Sequence, residues 1–547
     1  MGLHVQVLAV FSICFWLLWK VFRKYFIHSV LDDVVGPRRS SFLLGNISEL
    51  LSREGWGFQD TVSTYGTAAK INGILGEKAL FLYDPTALHH ILLKEPQTVE
   101  EPDWHRASVH IQYRFVACLG AHHKRQRKIL TAAFSAGQMR QITPVLYQTA
   151  NRLCDAIKAD LEGAAKEVDM LRWSNRSALE AIGQSGLGYS FDPLTEERPD
   201  EYADALKKMI PAFTKLAVFA PVVGYFWKFG SRRFRRFVVD CIPNRDVQQL
   251  KHVVDTMSAQ STKLYQKTKL RTLKDAPGQD EDESDNIILS TLMKANARAE
   301  SADKLRDEEL IAQMSTIVFA ASDTTSSTMS RLLHLLTEHP DVQDNVRAEV
   351  KHAQRGGNVP YDDLVQLPLL DAVYKEALRL YVHPILPSLF FETQMAQRDI
   401  VLPLASPIYD VHGKERSEVA VPKGTMLYVS IRASNQNKAV WGADADEWKP
   451  ERWLAPLPES LIDAHIPGIY SHLLSFIGGP RACIGYKFAE IQIKVTLSVL
   501  LAHFTFTPAK TRGDIYWNMA FIAFPTVGKV DASPQLPLVV EGISAST

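Results

Sequence analysis

The residues best suited to chemistry lie at 475–485, Ser-Phe-Ile-Gly-Gly-Pro-Arg-Ala-Cys-Ile-Gly. Cys483 stands two residues after Arg481 and seven after Phe476, among Gly478, Gly479 and Gly485. Glycine lets backbone approach a flat ligand closely and take up turns closed to other residues. Gly485 then opens an apolar helical pattern: Phe488, Ala489, Ile491, Val495 and Val499. Cys483 is therefore expected on a loop at the start of a helix, where backbone N–H groups and the positive helix end stabilise a thiolate. Such a sulfur, facing a slot made by glycines, suits an axial ligand to haem iron. The plain alternative is a buried structural cysteine in a Gly-Pro turn. A second constellation is Asp323-Thr324, inside a long helix expected over Leu310 to Leu336. An acid beside an alcohol can relay protons, although the pair taken alone is also ordinary helix surface. Glu376 and Arg379, three apart on a helix expected over Leu370 to Leu380, form an ion pair on one face. His123 and Arg127, four apart, share one face of a basic helix expected over His122 to Phe134.

Phe476, Gly479, Arg481, Cys483 and Gly485 complete the pattern Phe-x-x-Gly-x-Arg-x-Cys-x-Gly. This resembles the haem-binding signature of the cytochrome P-450 family, the haem-thiolate monooxygenases. The resemblance implies that Cys483 ligates the iron, Arg481 pairs a haem propionate and Phe476 packs beside the sulfur, on a loop that includes Gly479 and Gly485. His123 and Arg127 fall where the family carries Trp-x-x-x-Arg to bond propionates, with His123 in the Trp position. Residues 320–325, Ala-Ala-Ser-Asp-Thr-Thr, resemble the family's distal-helix motif, with Ala321 where glycine is usual. Asp323 and Thr324 are then the proton-guiding pair. Glu376, Arg379 and Arg452 of Pro450-Glu451-Arg452-Trp453 would form a buried charged triad that fixes geometry more surely than it adds stability. After His383-Pro384 the family often has an arginine for a propionate; Phe391 stands there here.

These residues need a large scaffold. The chain has 547 residues, zero formal net charge, 46% hydrophobic and 22% charged residues. Those values belong to an ordinary globular protein, and nothing in the charge suggests nucleic acid. The five cysteines lie far apart, with neither metal-ligand nor disulfide-framework spacing. Leu3 to Trp19 is almost wholly apolar and is followed by Lys20, Arg23 and Lys24. This reads as an uncleaved anchor with the rest of the chain cytoplasmic. The expected organisation is a membrane anchor over 1–27, a turn-rich hinge over 28–45 and a single haem-thiolate catalytic domain over 46–547. The sequons at Asn46 and Asn175 would stay unmodified on that side of the membrane. Small sheet pieces are expected over Thr67 to Asp84, then a helix over Thr86 to Lys94. Lys267 to Asn286 reads as an exposed acidic loop, and the tail beyond Leu501 as short strands, including Met519 to Pro525 and Leu536 to Val540. Ala205 to Phe237 mixes apolar runs with Arg232, Arg233, Arg235 and Arg236. This suits core helices or, by the resemblance, a roof that dips into a membrane surface. Lys124, Arg125 and Lys128 are expected to point away from the site, free to meet an acidic partner.

The fold class expected is mainly α with small β-sheets, the cytochrome P-450 fold preceded by a transmembrane helix. The resemblance implies a single-pass protein of the endoplasmic reticulum membrane that inserts one oxygen atom of O2 into a lipophilic small molecule. Haem iron with the Cys483 thiolate favours O–O cleavage once two electrons and two protons arrive. No flavin region is visible, so NADPH electrons would come through a separate reductase. The pattern over 120–134 and the hinge look most like fungal members, which points to secondary metabolism and a terpenoid-like substrate. The alternatives are a haem isomerase or dehydratase of the same fold, and a haem-binding membrane protein without turnover.

Overall fold

A computed structural model describes residues 28–100, 120–195, 200–216, 229–274, 287–354, 357–381, 393–509, 513–519, 522–529 and 533–543, together with Trp19, Phe22 and Phe26. The anchor expected over 1–27 and Phe391 lie, apart from those three aromatic residues, outside the described residues. Among the described residues no helix is long and apolar enough to cross a membrane. The chain forms two compact units, each built from separate stretches. Met1–Pro102, Pro384–Asp446 and Pro458–Ala482 make the first; Asp103–His383, Glu447–Leu457 and Cys483–Thr547 make the second.

The first unit is built on a five-stranded sheet of β1 (Ala68–Asn72), β2 (Lys78–Leu82), β3 (Val99–Glu100), β4 (Thr393–Ala396) and β5 (Met426–Val429), in the order β1-β2-β5-β4-β3. β1 and β2 fall within the small sheet expected over Thr67 to Asp84 and pair antiparallel, with Ala68 opposite Leu82, while β2 runs parallel to β5. Ala79, Leu80, Phe81 and Leu82 are all buried. A continuous apolar run is what a strand covered on both faces requires. The supposed hinge is docked on this sheet: Lys70 N–H donates to the Val35 carbonyl at 2.8 Å. A Cβ on Gly36 would lie 1.9 Å from the Lys70 carbonyl oxygen, so only glycine allows that approach. Asn46 is fully buried, and its Nδ2 donates to the Arg38 carbonyl at 2.9 Å. The folded chain therefore does not present this sequon. The helix expected over Thr86 to Lys94 is shorter, Pro85–His89 followed by a wider π turn over His90–Lys94.

The second unit carries the helices that position the chemistry: α1 (Gly120–Ala133), α2 (Ala136–Leu161), α3 (Met170–Ile182), α4 (Asp307–Glu338), α5 (Pro368–Leu380) and α6 (Tyr486–His503). α2, α3, α4 and α6 pack together as a bundle. α6 is buried over most of its length, with Ile491, Val495, Leu497, Leu500 and Leu501 in the core and its buried Lys494 paired with Glu490 and Asp371. α4 runs 32 residues unbroken through Thr324-Thr325, because tertiary packing of residues such as Ser322, Thr325, Ser326 and Met329 overrides the weak helix propensity of threonine and serine. Lys267 to Asn286 departs from the loop expected: a helix continues to Lys274, and 275–286 lie outside the described residues. The tail also differs. Its strands are Phe504–Pro508, Ile515–Asn518, Phe524–Val527 and Pro537–Gly542, and Met519 begins the connection between the second and third. That hairpin is held on α4. Ser327 Oγ donates to the Ala523 carbonyl at 2.7 Å. The Arg331 guanidinium lies 3.6 Å from the Tyr381 ring centroid and 4.7 Å from that of Trp517. Trp517 Nε1–H donates to His334 Nδ1, and burial with Arg331 nearby pushes the His334 pKa down to about 4, keeping that nitrogen free to accept.

Candidate active site

Cys483 immediately precedes α6, as its sequence context implied. It lies deep among surrounding atoms yet keeps exposed side-chain surface. Burial raises its thiol pKa, while the Gly485 N–H and the charge of Arg127 pull in the other direction. The helix-end stabilisation expected from the sequence is thus present but outweighed, because desolvation of a thiolate exceeds what one N–H supplies. The nearby Tyr374 of α5 is fully buried, and negative charge on Cys483 raises its pKa further. Arg127 of α1 therefore lies close enough for its charge to act on Cys483, a proximity the sequence did not indicate. His123 is buried on α1, whereas Lys124 and Lys128 are exposed. Two of the three cations expected to be free are engaged within the chain. Lys128 Nζ meets Asp303 at 2.7 Å, and Arg125 Nη1 donates to the Ala302 carbonyl at 2.8 Å.

The loop leading to the cysteine belongs to the first unit, and its glycines meet a packing demand that the sequence did not reveal. A Cβ on Gly478 would fall 1.5 Å from the Pro467 carbonyl oxygen, and one on Gly479 2.0 Å from that of Leu92. Gly479 also has φ +72°. These glycines admit neighbouring backbone of the protein itself. Ile477, β-branched, holds φ +47°, a strained conformation that surrounding contacts must impose. The Ile477 carbonyl accepts from Ile469 N–H at 3.1 Å. Phe476 packs edge-on against Tyr470 with ring centroids 5.7 Å apart. Arg481 is partly exposed at the end of the short turn Gly479–Arg481. In the second unit, Gly485 has φ −91° and a Cβ there would meet only Phe134, at 3.9 Å, so neither backbone angle nor crowding demands glycine.

On α4, Thr324 Oγ1 donates to the Ala320 carbonyl at 2.7 Å, the back-bond that a mid-helix threonine makes. Asp323 is deeply placed but partly exposed, and burial pushes its pKa up to about 6, with Ser322 opposing weakly. A carboxyl that titrates near neutrality beside a hydroxyl is suited to moving protons.

Glu376 and Arg379 of α5 are both fully buried. Arg379 donates through Nε (2.9 Å) and Nη2 (2.8 Å) to the two oxygens of Glu376, and through Nη2 to the Glu447 carbonyl (3.0 Å). Arg452 completes the triad as an ion pair at 3.6 Å. The sequence reading missed two further donors to Glu376, the Lys449 backbone N–H at 3.0 Å and Trp453 Nε1 at 2.9 Å. The signal was available, because Trp453 brings an indole N–H where the family's motif has a phenylalanine-like residue. Arg379→Ala strands the Glu376 carboxylate in the interior. A cost of about 3–5 kcal/mol is expected, read as collapse of folded yield and thermal midpoint. Trp453→Phe removes one charge-assisted bond and costs less, about 1.5–3 kcal/mol.

The cytochrome P450 family profile matches residues 36–528. The chain belongs to the cytochrome P450 family. It is 42% identical over 533 residues to cytochrome P450 monooxygenase 91 of Postia placenta, covering 96% of this chain and 97% of the relative. Cytochrome P450 monooxygenase 212 of the same fungus is 44% identical over 531 residues, with 96% of each chain covered. A ganoderic acid synthetase of Ganoderma lucidum is 38% identical over 548 residues, with 97% of each covered. This P450 is a haem-thiolate monooxygenase whose electrons come from a redox partner. Its residues fit haem iron: one soft sulfur donor, deep but accessible, at the head of a buried helix with a guanidinium acting on it.

Proposed function

We propose that this P450 is anchored in the endoplasmic reticulum membrane by residues 1–27, with its catalytic part in the cytoplasm as a single functional domain. It inserts one atom of O2 into a lipophilic small molecule, in secondary metabolism, and takes NADPH electrons from a separate flavoprotein reductase. The observation that carries the reading is Cys483, buried enough to raise its thiol pKa yet accessible, and within reach of the Arg127 charge.

When bound, haem supplies oxygen activation that thiolate ligation favours. The chain's own residues do the rest. Cys483 gives up its proton on ligation. Arg481, His123 and Arg127 bind the propionates, and Phe476 shields the sulfur. Gly479 and Gly485 shape the loop around the cysteine. Asp323 moves protons to Thr324, and Glu376, Arg379 and Arg452 hold the scaffold rigid. The hairpin held on α4 by Ser327 and Trp517 borders the substrate. The ganoderic acid synthetase among the relatives supports secondary metabolism and puts terpenoids first among test substrates.

The test is reconstitution of the full chain with an NADPH-dependent flavoprotein reductase and a panel of terpenoids, polyketides and fatty acids. Oxygen and NADPH consumption tied to a product carrying one new oxygen is expected. Product without reductase would mark an isomerase or dehydratase, and a haem spectrum without turnover a binding protein. Removing residues 1–27 is expected to release much of the protein from membranes and leave its haem spectrum intact. Residual affinity comes from Phe229, Phe234 and Phe237, which are 65%, 54% and 63% exposed around the arginine-rich helix Arg232–Asp240. A folded truncated protein without the haem spectrum would contradict an independent anchor.

A further inference from the structure

The bundle of α2, α3, α4 and α6 holds a small cavity of mixed lining, in which Ser174 and Ser177 of α3, Thr325 and Ser326 of α4, and Gln492 and Thr496 of α6 stand among apolar residues such as Met170 and Met329. About 10 Å³ is open to the centre of a water molecule, room for a single water. Three of the lining groups have no hydrogen-bond partner: Ser174 Oγ, Thr325 Oγ1 and Gln492 Oε1. Their residues are 4%, 3% and 2% exposed. Leaving one such group unsatisfied costs about 1–3 kcal/mol, so three around one cavity point to a guest.

We infer that this cavity binds an ordered water bridging Ser174, Thr325 and Gln492, and that this water positions the Asp323–Thr324 stretch of α4. The chemistry of the donors selects water. Gln492 Nε2 already donates to the Ala178 carbonyl, at 3.4 Å, so the amide oxygen is the atom left to be satisfied. That oxygen accepts only, while each hydroxyl both donates and accepts. A water that donates to Gln492 and one hydroxyl, and accepts from the other, satisfies all three. An apolar guest would satisfy none of them, and a cation would be too strongly desolvated by neutral walls.

The position gives the water a purpose. Successive helix residues turn by about 100°, so Thr325 points opposite to Asp323 two residues earlier. Ser326, also on the cavity, donates to the Asp323 carbonyl at 3.0 Å. The water ties α4 at this point to α3 and to α6, the helix that begins just beyond Cys483. It thereby fixes the turn carrying the acid and the alcohol from behind. Thr325, Ser174 and Gln492 are positioning residues. This consequence rests on the proton role proposed for Asp323 and Thr324; the water site does not.

The tests use the full chain with haem bound. A crystal structure sharp enough to show other interior waters should show a peak contacting Thr325 Oγ1, Ser174 Oγ and Gln492 Oε1. Thr325→Val keeps the shape and removes the hydroxyl. With water present, the folding equilibrium constant falls roughly two- to tenfold, the worth of one hydrogen bond. With an empty cavity the same change relieves an orphaned hydroxyl and the constant rises. Ser174→Ala is expected to move in the same direction as Thr325→Val. Thr325→Val also lowers product per NADPH, by less than Thr324→Ala does, whereas Thr325→Ser keeps the hydroxyl and the wild-type ratio. Absence of the peak, or a gain in stability in Thr325→Val, overturns the water site. An unchanged product ratio in Thr325→Val overturns the positioning role. The peak and the stability sign do not depend on turnover, so they stand or fall apart from the proposed function.

Discussion

Cys483→Ala is expected to remove the red-shifted Soret band of the reduced, CO-bound haem-thiolate centre, and turnover with it. No other described cysteine can replace this sulfur. Cys154 is buried in α2 with its thiol pushed up to about 11, and Cys241 follows the exposed helix Arg232–Asp240. The raised thiol pKa of Cys483 adds a second readout. Ligation requires the thiolate, so haem loading of the apoprotein releases a proton and tightens as pH rises toward that pKa. The alanine variant loses this pH dependence. The change itself is small and leaves α6 and its packing intact, so the helical fold should survive in circular dichroism. A variant that keeps both the shifted band and its activity would sink the assignment of Cys483.

Thr324→Ala acts on coupling and leaves the spectrum alone. The hydroxyl, held toward the Ala320 carbonyl, is the last proton-bearing group of the acid–alcohol pair. Positioned proton transfer of this kind contributes about 10²–10⁴-fold. Electron delivery does not need the hydroxyl, so NADPH consumption continues while product falls and hydrogen peroxide takes its place. Asp323 adds a pH signature. Its pKa is raised to about 6, so the carboxyl holds its proton below that value and loses it above. Product per NADPH in the wild type is expected to decline as pH rises through about 6, and Asp323→Asn should be slower throughout and flat across that range. The linked stability has the same sign. The contribution of the protonated, buried carboxyl is fully present below its ordinary value of 3.8 and is lost as pH rises through about 6. Product, NADPH and peroxide measured together decide the matter. An unchanged product-to-NADPH ratio in Thr324→Ala would reduce the pair to ordinary helix sequence.

What the sequence alone determined about this protein is local. The loop from Phe476 to Gly485, the pair Asp323-Thr324 and the spacing of Glu376 and Arg379 are short patterns. Their chemistry depends on residue type and a few residues' separation, so they were legible, as were the basic helix α1, the helices α4 and α5, and α6 from its apolar pattern. Tertiary structure decided whatever depends on residues far apart in the chain. Gly478 and Gly479 are required by the close approach of the Pro467 and Leu92 carbonyls, and no spacing encodes that proximity. Trp453 joins the Glu376 network across 77 positions in sequence. The thiol of Cys483 is raised and not lowered, because the depth of burial is a property of the packed interior and a helix end is a property of the local chain. The 28–45 segment reads as a hinge from its turn residues, yet Lys70 and the absent Cβ of Gly36 bring it onto the sheet. The cavity-lining groups of α4 are recognisable only with α3 and α6 packed beside them. Serine and threonine in a helix are equally compatible with solvent and with a shared buried water, and only the neighbours determine which they meet.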